Sequence, residues 1–154
     1  MLIYFAAPLF CQAERAFNLQ LTQELEKQGF TVFLPQRDGI ETNKPPYNEM
    51  TSDQICQAIF IADRDRILES DIFLFVLDGR VPDEGACVAL GIAYSQKVLL
   101  NQDKLLVGLH TDMRGAFPVL GFELNPMIYS AFDHIAENEN ELIKIIEAYK
   151  NERT

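Results

Sequence analysis

One segment constrains the fold more than any other. Residues 71–77 read Asp-Ile-Phe-Leu-Phe-Val-Leu, an acid followed by an unbroken apolar run. A strand that is apolar on both faces needs cover on both, which is how a parallel strand between helical layers reads. Strand and helix signals alternate around it. Residues 2–6 are a short apolar run closed by Pro8, and residues 30–34 are β-branched and aromatic and end at Pro35. Residues 12–28 carry Ala16, Leu19, Leu21 and Leu25 among Gln, Glu and Lys, an amphipathic helix that stops at Gly29. A second helix is expected over 52–70 with Ile55, Ile59, Ala62 and Ile67 inward. A third is expected over 83–95, with Asp83 placed to cap it. Short strands are expected at 98–100 and 105–107, and a last helix over 138–149 with Leu142, Ile145 and Ile146 inward. Segments 36–50 and 108–126 are punctuated by Gly and Pro and are too long for plain connections. No internal repeat or linker is visible. The order predicts a single α/β domain over 1–154: a doubly wound, flavodoxin/Rossmann-like parallel sheet of about five strands. Ligands in such folds sit beyond the carboxyl ends of the strands, where residues 6–8, the 35–50 loop and Asp78-Gly79 are expected to converge.

Charge narrows the partners. The chain has 13 basic and 23 acidic residues, a net charge of −10. That balance disfavours a phosphate backbone and an anionic membrane surface, so neither nucleic acid nor membrane is expected as a partner. Cys11, Cys56 and Cys87 form no paired motif, and an odd count without a secretory leader points to a reducing cytoplasm. With His110 and His134 the only histidines, a metal centre or histidine triad has little to build with, and no metal or cofactor is expected. No phosphate-binding glycine loop and no nucleophile elbow is present.

The stretch Asp83-Glu-Gly-Ala-Cys-Val-Ala-Leu-Gly91 is nearly all small or apolar. One reading is a buried helix packed closely through Gly85, Ala86, Ala89 and Gly91. The other is a ligand helix. Asp83 sits at a helix N-terminus, where backbone N–H groups favour a carboxylate, and Gly85 and Ala89 share a stripe that leaves a ligand room to approach. Asp71 is either a solvated strand start or a site residue. A strand tyrosine such as Tyr4 is most often core. Asp38-Gly39 and Asp78-Gly79 read as turns, and Glu14 and Arg15 as a solvated helix face.

Taken together, several segments resemble the nucleoside 2-deoxyribosyltransferase family. They are Ile3-Tyr4-Phe5-Ala6-Ala7-Pro8, the strand end at 34–38, Asp63 and Asp71 at D-x7-D spacing, and Asp78-Gly79 followed by Asp83-x-Gly85. Leu90-Gly91-x-Ala93 and Asn125-Pro126-Met127 complete the series. The resemblance implies cleavage of the N-glycosidic bond of a 2′-deoxynucleoside and transfer of the sugar to another base, through a covalent ester on a glutamate. It implies that Tyr4 orients the nucleophile, Asp83 holds the sugar hydroxyls and Asp71 aids protonation of the base. Asn125 and Met127 would reach a neighbouring subunit's site in a homo-oligomer. Phe10 would pack on the substrate, Gly85 would leave it room, and Gln36 or Asp38 would meet the base edge. The expected partners are 2′-deoxynucleosides and free nucleobases.

One position departs from the pattern. The family places its nucleophile six residues after the aspartate, and here that residue is Ala89. A methyl group cannot attack, and Glu84 lies on another side of the helix. The resemblance therefore implies a chain that binds nucleosides without turnover. It would be either a natural inactive relative or a glutamate-to-alanine variant, and the otherwise intact site favours the variant. Two alternatives stand beside this reading: a 2′-deoxynucleoside 5′-monophosphate N-glycosidase and a non-catalytic binding module.

Overall fold

The computed structural model describes residues 1–112 and 124–153 and contains one five-stranded sheet. The strands are β1 (Leu2–Ala6), β2 (Thr31–Phe33), β3 (Ile72–Val76), β4 (Leu105–Leu109) and β5 (His134–Ala136). They lie in the order β2-β1-β3-β4-β5, every pair parallel. The helices are α1 (Gln12–Lys27), α2 (Pro35–Asp38), α3 (Ser52–Glu69), α4 (Glu84–Leu99), α5 (Pro126–Tyr129) and α6 (Glu139–Asn151). The doubly wound architecture is thus the one the β3 run implies.

Alternation along the strands sorts the core into two layers. Ile3, Phe5, Ile72, Leu74, Val76 and Val107 meet Leu21 and Leu25 of α1 and Leu142 and Ile146 of α6. Tyr4, Ala6, Phe73, Phe75, Leu77 and Leu106 meet Ile67 of α3 and Ala86, Ala89, Leu90 and Ala93 of α4. The strand order reverses between β1 and β3, and the crevice at their carboxyl ends is where such a sheet receives a ligand.

Several expectations need correction. Residues 98–100 are not a strand: α4 runs through Leu99 and ends with Asn101 at φ 50°, a left-handed residue just past the C-cap. A three-residue apolar run carries no period, so strand and helix look alike in it. The fifth strand is β5 instead, short and opened by a histidine, which the sequence reading missed. In α1 the buried stripe is Asn18, Leu21, Thr22 and Leu25, while Ala16 and Leu19 are exposed. In α3 only Ile67 is buried, and Ile59 is exposed. Gly91 faces outward, so α4 packs on the sheet through its alanines rather than its glycines. The 36–50 segment holds α2 and a 3-10 turn at Tyr47–Glu49. Part of the expected 108–126 loop lies outside the described residues.

Candidate active site

A cavity of about 380 Å³ opens at the carboxyl end of the sheet. Its wall comes from three places: Pro8, Phe10 and Glu14 around the start of α1, Asp78, Gly79 and Val81 after β3, and Asp83 and Glu84 at the start of α4. Two of the three segments expected to converge do so here.

Backbone hydrogen bonding holds each part in place. Glu14 Oε2 accepts the N–H groups of Phe10 at 2.7 Å and Cys11 at 2.9 Å, completing a capping box on α1. Glu14, read from sequence as a solvated surface residue, therefore shapes the cavity. Phe10 itself is 78% exposed, an apolar ring held at the mouth. Asp78 accepts from Thr111 N–H and Oγ1, both at 2.6 Å, and from Asp112 N–H at 3.0 Å. Gly79 returns the connection by donating its N–H to Asp112 at 3.2 Å, and its φ of 126° is a conformation that side-chain-bearing residues rarely adopt. Asp83 caps α4 as expected: its Oδ1 accepts Ala86 N–H at 2.7 Å. A Cβ at Gly85 would come within 3.3 Å of that same oxygen, so glycine keeps the Asp83 carboxylate unobstructed.

Behind this wall lies a second group. Tyr4, only 3% exposed, stacks between Phe33 and Phe73, with ring centroids 5.7 and 5.8 Å away. Asp63 of α3 is the carboxylate close enough to the Tyr4 hydroxyl for each to shift the other's proton affinity. Burial, and then the neighbouring carboxylate, push the Tyr4 phenol far above its usual range. Burial also raises Asp63, and the polar hydroxyl of Tyr4 offsets part of that rise. A carboxyl with raised proton affinity is the kind of group that can deliver a proton to a leaving base. Ala89, 8% exposed, belongs to the same apolar cluster as Tyr4, Ala6 and Ala86. It lies on the sheet-facing side of α4, and it does not line the 380 Å³ cavity.

Other expected residues fall elsewhere. Asp71 is at the opposite, amino-terminal edge of the sheet: its Oδ2 accepts Leu2 N–H at 2.7 Å, and its backbone pairs with Leu2 and Leu105. It is engaged with Leu2, and the carboxylate that interacts with Tyr4 is Asp63. The D-x7-D spacing had singled out Asp63, but a helix carboxylate gave no further sign of its role. Gln36 spends its amide on the protein, donating to Arg15 O at 2.9 Å and accepting from Asn18 at 3.0 Å. Asn18 also donates to Pro8 O at 2.9 Å, so the pair fastens the cavity's wall. Asn18 is buried, and sequence reasoning passed over it.

Asp38 accepts Leu34 N–H at 2.9 Å and pairs with Arg37. It faces a separate cavity of about 550 Å³ between the 38–47 segment and α3. Asn125 caps α5, accepting Met127 N–H at 2.9 Å, just after Leu124, which is buried in the Tyr4 cluster. Asn125 is exposed, and Met127 is 83% exposed. Among the described residues no group of His, Cys, Asp and Glu is arranged to hold a metal ion, and no helix is long and apolar enough to cross a membrane.

Comparison with known proteins places this geometry. The model of the nucleoside 2-deoxyribosyltransferase family matches residues 3–143. Among solved structures, a conserved protein from Enterococcus faecalis V583 is 24% identical with a TM-score of 0.75, covering 96% of this chain and 98% of its own. The 2-deoxyribosyltransferase of Bacillus psychrosaccharolyticus is also 24% identical, with a TM-score of 0.69 and coverage of 92% and 90%. A Clostridium botulinum CMP N-glycosidase is 17% identical, with a TM-score of 0.55 and coverage of 97% and 99%. No curated protein sequence matches significantly.

Proposed function

This chain belongs to the nucleoside 2-deoxyribosyltransferase family, a family of pentosyltransferases, and from that premise we propose that its cavity binds 2′-deoxynucleosides. The observation that carries the reading is Asp83, which stands in the cavity wall as the cap of the helix that bears Gly85 and Ala89. In the chemistry of the family pattern, a carboxylate at 89 attacks C1′ as the C1′–N bond breaks. The bond's electron pair leaves with the base, which takes up a proton. The acceptor base then attacks C1′, and the carboxylate is released. Asp63 is the proton donor in this scheme, in place of Asp71, because burial raises its proton affinity beside Tyr4. Asp83 holds the sugar hydroxyls and Phe10 covers the substrate.

With Ala89 the chain has no group to form the ester, so it binds deoxynucleoside and does not exchange bases. The working unit is a homo-oligomer in which the exposed Asn125 and Met127 complete a neighbouring site. Isothermal titration with deoxyadenosine and thymidine tests binding. Chromatography of thymidine and adenine mixtures tests exchange, expected for Ala89→Glu and not for the unaltered chain. No binding to either form would overturn the reading.

The fold shared with a CMP N-glycosidase supports a second reading, cleavage of 2′-deoxynucleoside 5′-monophosphates. Glu14, Asp78, Asp83 and Glu84 around the cavity oppose a phosphate there. Deoxyadenosine should therefore bind more tightly than its 5′-monophosphate; the reverse order would favour the glycosidase.

A further inference from the structure

We propose that Lys104 and Gln96 are positioning residues for the candidate proton donor: reaching in from the start of β4 and from α4, they clamp the last turn of α3 and so fix where Asp63 stands against Tyr4. The inference rests on the role given to Asp63 above, and its test reads that carboxyl directly.

α3 is seated mainly at one place. Of its 18 residues only Ile67 is buried, while Ile59, Phe60 and Ile61, nearer its start, lie exposed. Ile67 belongs to the cluster of Tyr4 and Phe73. Asp63 precedes Ile67 by four residues, so the two share one helix face. Whatever fixes the turn around Ile67 therefore fixes Asp63, about 6 Å along the axis.

Three elements grip that turn. A helix leaves its last four carbonyls without partners of its own. Here Ile67 O accepts from Lys104 Nζ and, at 2.8 Å, from Ser70 Oγ, and Lys104 Nζ also donates to Ser70 Oγ at 2.9 Å. The next carbonyl, Leu68 O, accepts from Gln96 Nε2 at 2.8 Å. On the third side Arg66, paired with Glu69 at 2.7 Å, holds its guanidinium 5.7 Å from the centre of Phe33, the ring that stacks on Tyr4. The turn is thus tied to the start of β4, to α4 and to β2.

Two of these ties cost stability. Lys104 is 2% exposed and Gln96 6%, and Gln96 Oε1 has no hydrogen-bond partner among the described residues. A buried cation and a buried orphan acceptor both disfavour folding. Methionine and leucine would fill the same space without either cost. What the two side chains share is their hold on the turn that follows Asp63.

A looser turn lets α3 tilt from the sheet and admits water beside Asp63. Burial is the chief cause that raises Asp63, so hydration returns it toward its ordinary value of 3.8. Loss of the Lys104 charge acts in the opposite direction, because a carboxylate ionises less readily without a cation nearby. The direction of the change therefore separates position from charge. The other ionisable groups at this corner are accounted for: Tyr4 faces Asp63, Asp71 acts on Lys104, and Arg64 and Arg66 pair within α3 with Asp65 and Glu69.

Carbon-13 NMR of the side-chain carboxyls, in the chain with Ala89 and without nucleoside, gives the Asp63 titration midpoint, and Asp63→Asn assigns the signal. Lys104→Met and Gln96→Leu should each lower that midpoint by about half a pH unit or more, a roughly threefold loss of proton affinity. Gln96→Leu removes one tie without removing a charge, and it decides alone if Lys104→Met does not fold. Leu142→Ala, which removes packing from α6 in the other core layer, should lower stability and leave the midpoint unmoved. In an Ala89→Glu background both clamp variants should lower kcat for base exchange while KM stays within about twofold, and the alkaline limb of the kcat profile should move to lower pH. A midpoint that stays or rises in either folded clamp variant, or that falls equally in Leu142→Ala, overturns the proposal. Absence of base exchange in the Ala89→Glu chain would reject the transferase reading and leave the clamp to be decided by the midpoint, which is read without turnover.

Discussion

At the residue scale, Asp83 does two separable things. It caps α4 through Ala86 N–H, and it stands in the cavity wall as a carboxylate. Asparagine caps a helix about as well as aspartate, and alanine costs about 1 kcal/mol. Asp83→Asn should therefore leave urea-unfolding stability within a few tenths of a kcal/mol while deoxynucleoside affinity falls at least tenfold by calorimetry. Asp83→Ala should lower both.

Asp63 gives a second test. In an Ala89→Glu background, Asp63→Asn should slow base exchange by about 10²- to 10⁴-fold, the usual contribution of a positioned acid. The folded chain holds a proton on Asp63 more tightly than the unfolded chain does. The stability that Asp63 contributes is therefore fully present below its unfolded value of 3.8. It is lost as pH rises through the higher folded value. Equilibrium unfolding should show the unaltered chain gaining on Asp63→Asn as pH is lowered into that range. Aspartate at a strand start and aspartate on a helix look equally plausible as acids in a sequence. Only the fold shows that Asp71 is engaged with Leu2 at the amino end of β1, whereas Asp63 interacts with Tyr4 further along the strand.

At the element scale, the parts legible in sequence were those with a strong period or a capping chemistry. β3 announced itself by its apolar run, α4 by Asp83, and α6 by Leu142 and Ile146, which are buried as expected. What failed had no local signal. Residues 98–100 and β5 are too short for period to act. The buried stripe of α1 was hidden because Asn18 and Thr22, polar by type, sit in it.

Asn18 is buried for a reason that concerns the site. It ties α1 to Pro8 and Gln36, and so holds the loop that carries Phe10. Asn18→Leu keeps the volume but leaves Pro8 O and Gln36 Oε1 without their donor. An unfolding cost of about 1–3 kcal/mol is expected for such a loss. Deoxynucleoside affinity should fall as well, since the loop no longer fixes Phe10. A stability loss with unchanged affinity would separate the fastening from the site.

At the scale of the whole molecule, the sheet has two functional ends. The carboxyl end carries the cavity, and the amino end carries a buried cation. Lys104, 2% exposed, donates from Nζ to Ile67 O and, at 2.9 Å, to Ser70 Oγ, so it joins the end of α3 to the start of β4. Burial lowers its pKa from 10.5 to about 8, and the negative charge of Asp71 offsets part of that fall. Asp71 thus serves the amino end twice, as acceptor for Leu2 and as countercharge to Lys104.

The sign of the effect follows from proton binding. Between pH 8 and 10.5 the unfolded chain holds the Lys104 proton more than the folded chain does. Lys104 therefore disfavours folding below that window, and the penalty is relieved as pH rises through it, by a span on the order of 3 kcal/mol at 1.36 kcal/mol per unit. Lys104→Met removes the titrating group while Ser70 Oγ keeps its bond to Ile67 O at 2.8 Å. Urea unfolding at one protein concentration should show the unaltered chain gaining stability relative to Lys104→Met from pH 8 upward, with the difference levelling off above 10.5. Asp71→Asn should widen the window by lowering Lys104 further, and it should leave deoxynucleoside affinity unchanged. A loss of affinity in Asp71→Asn would return Asp71 to the site from which the geometry removes it.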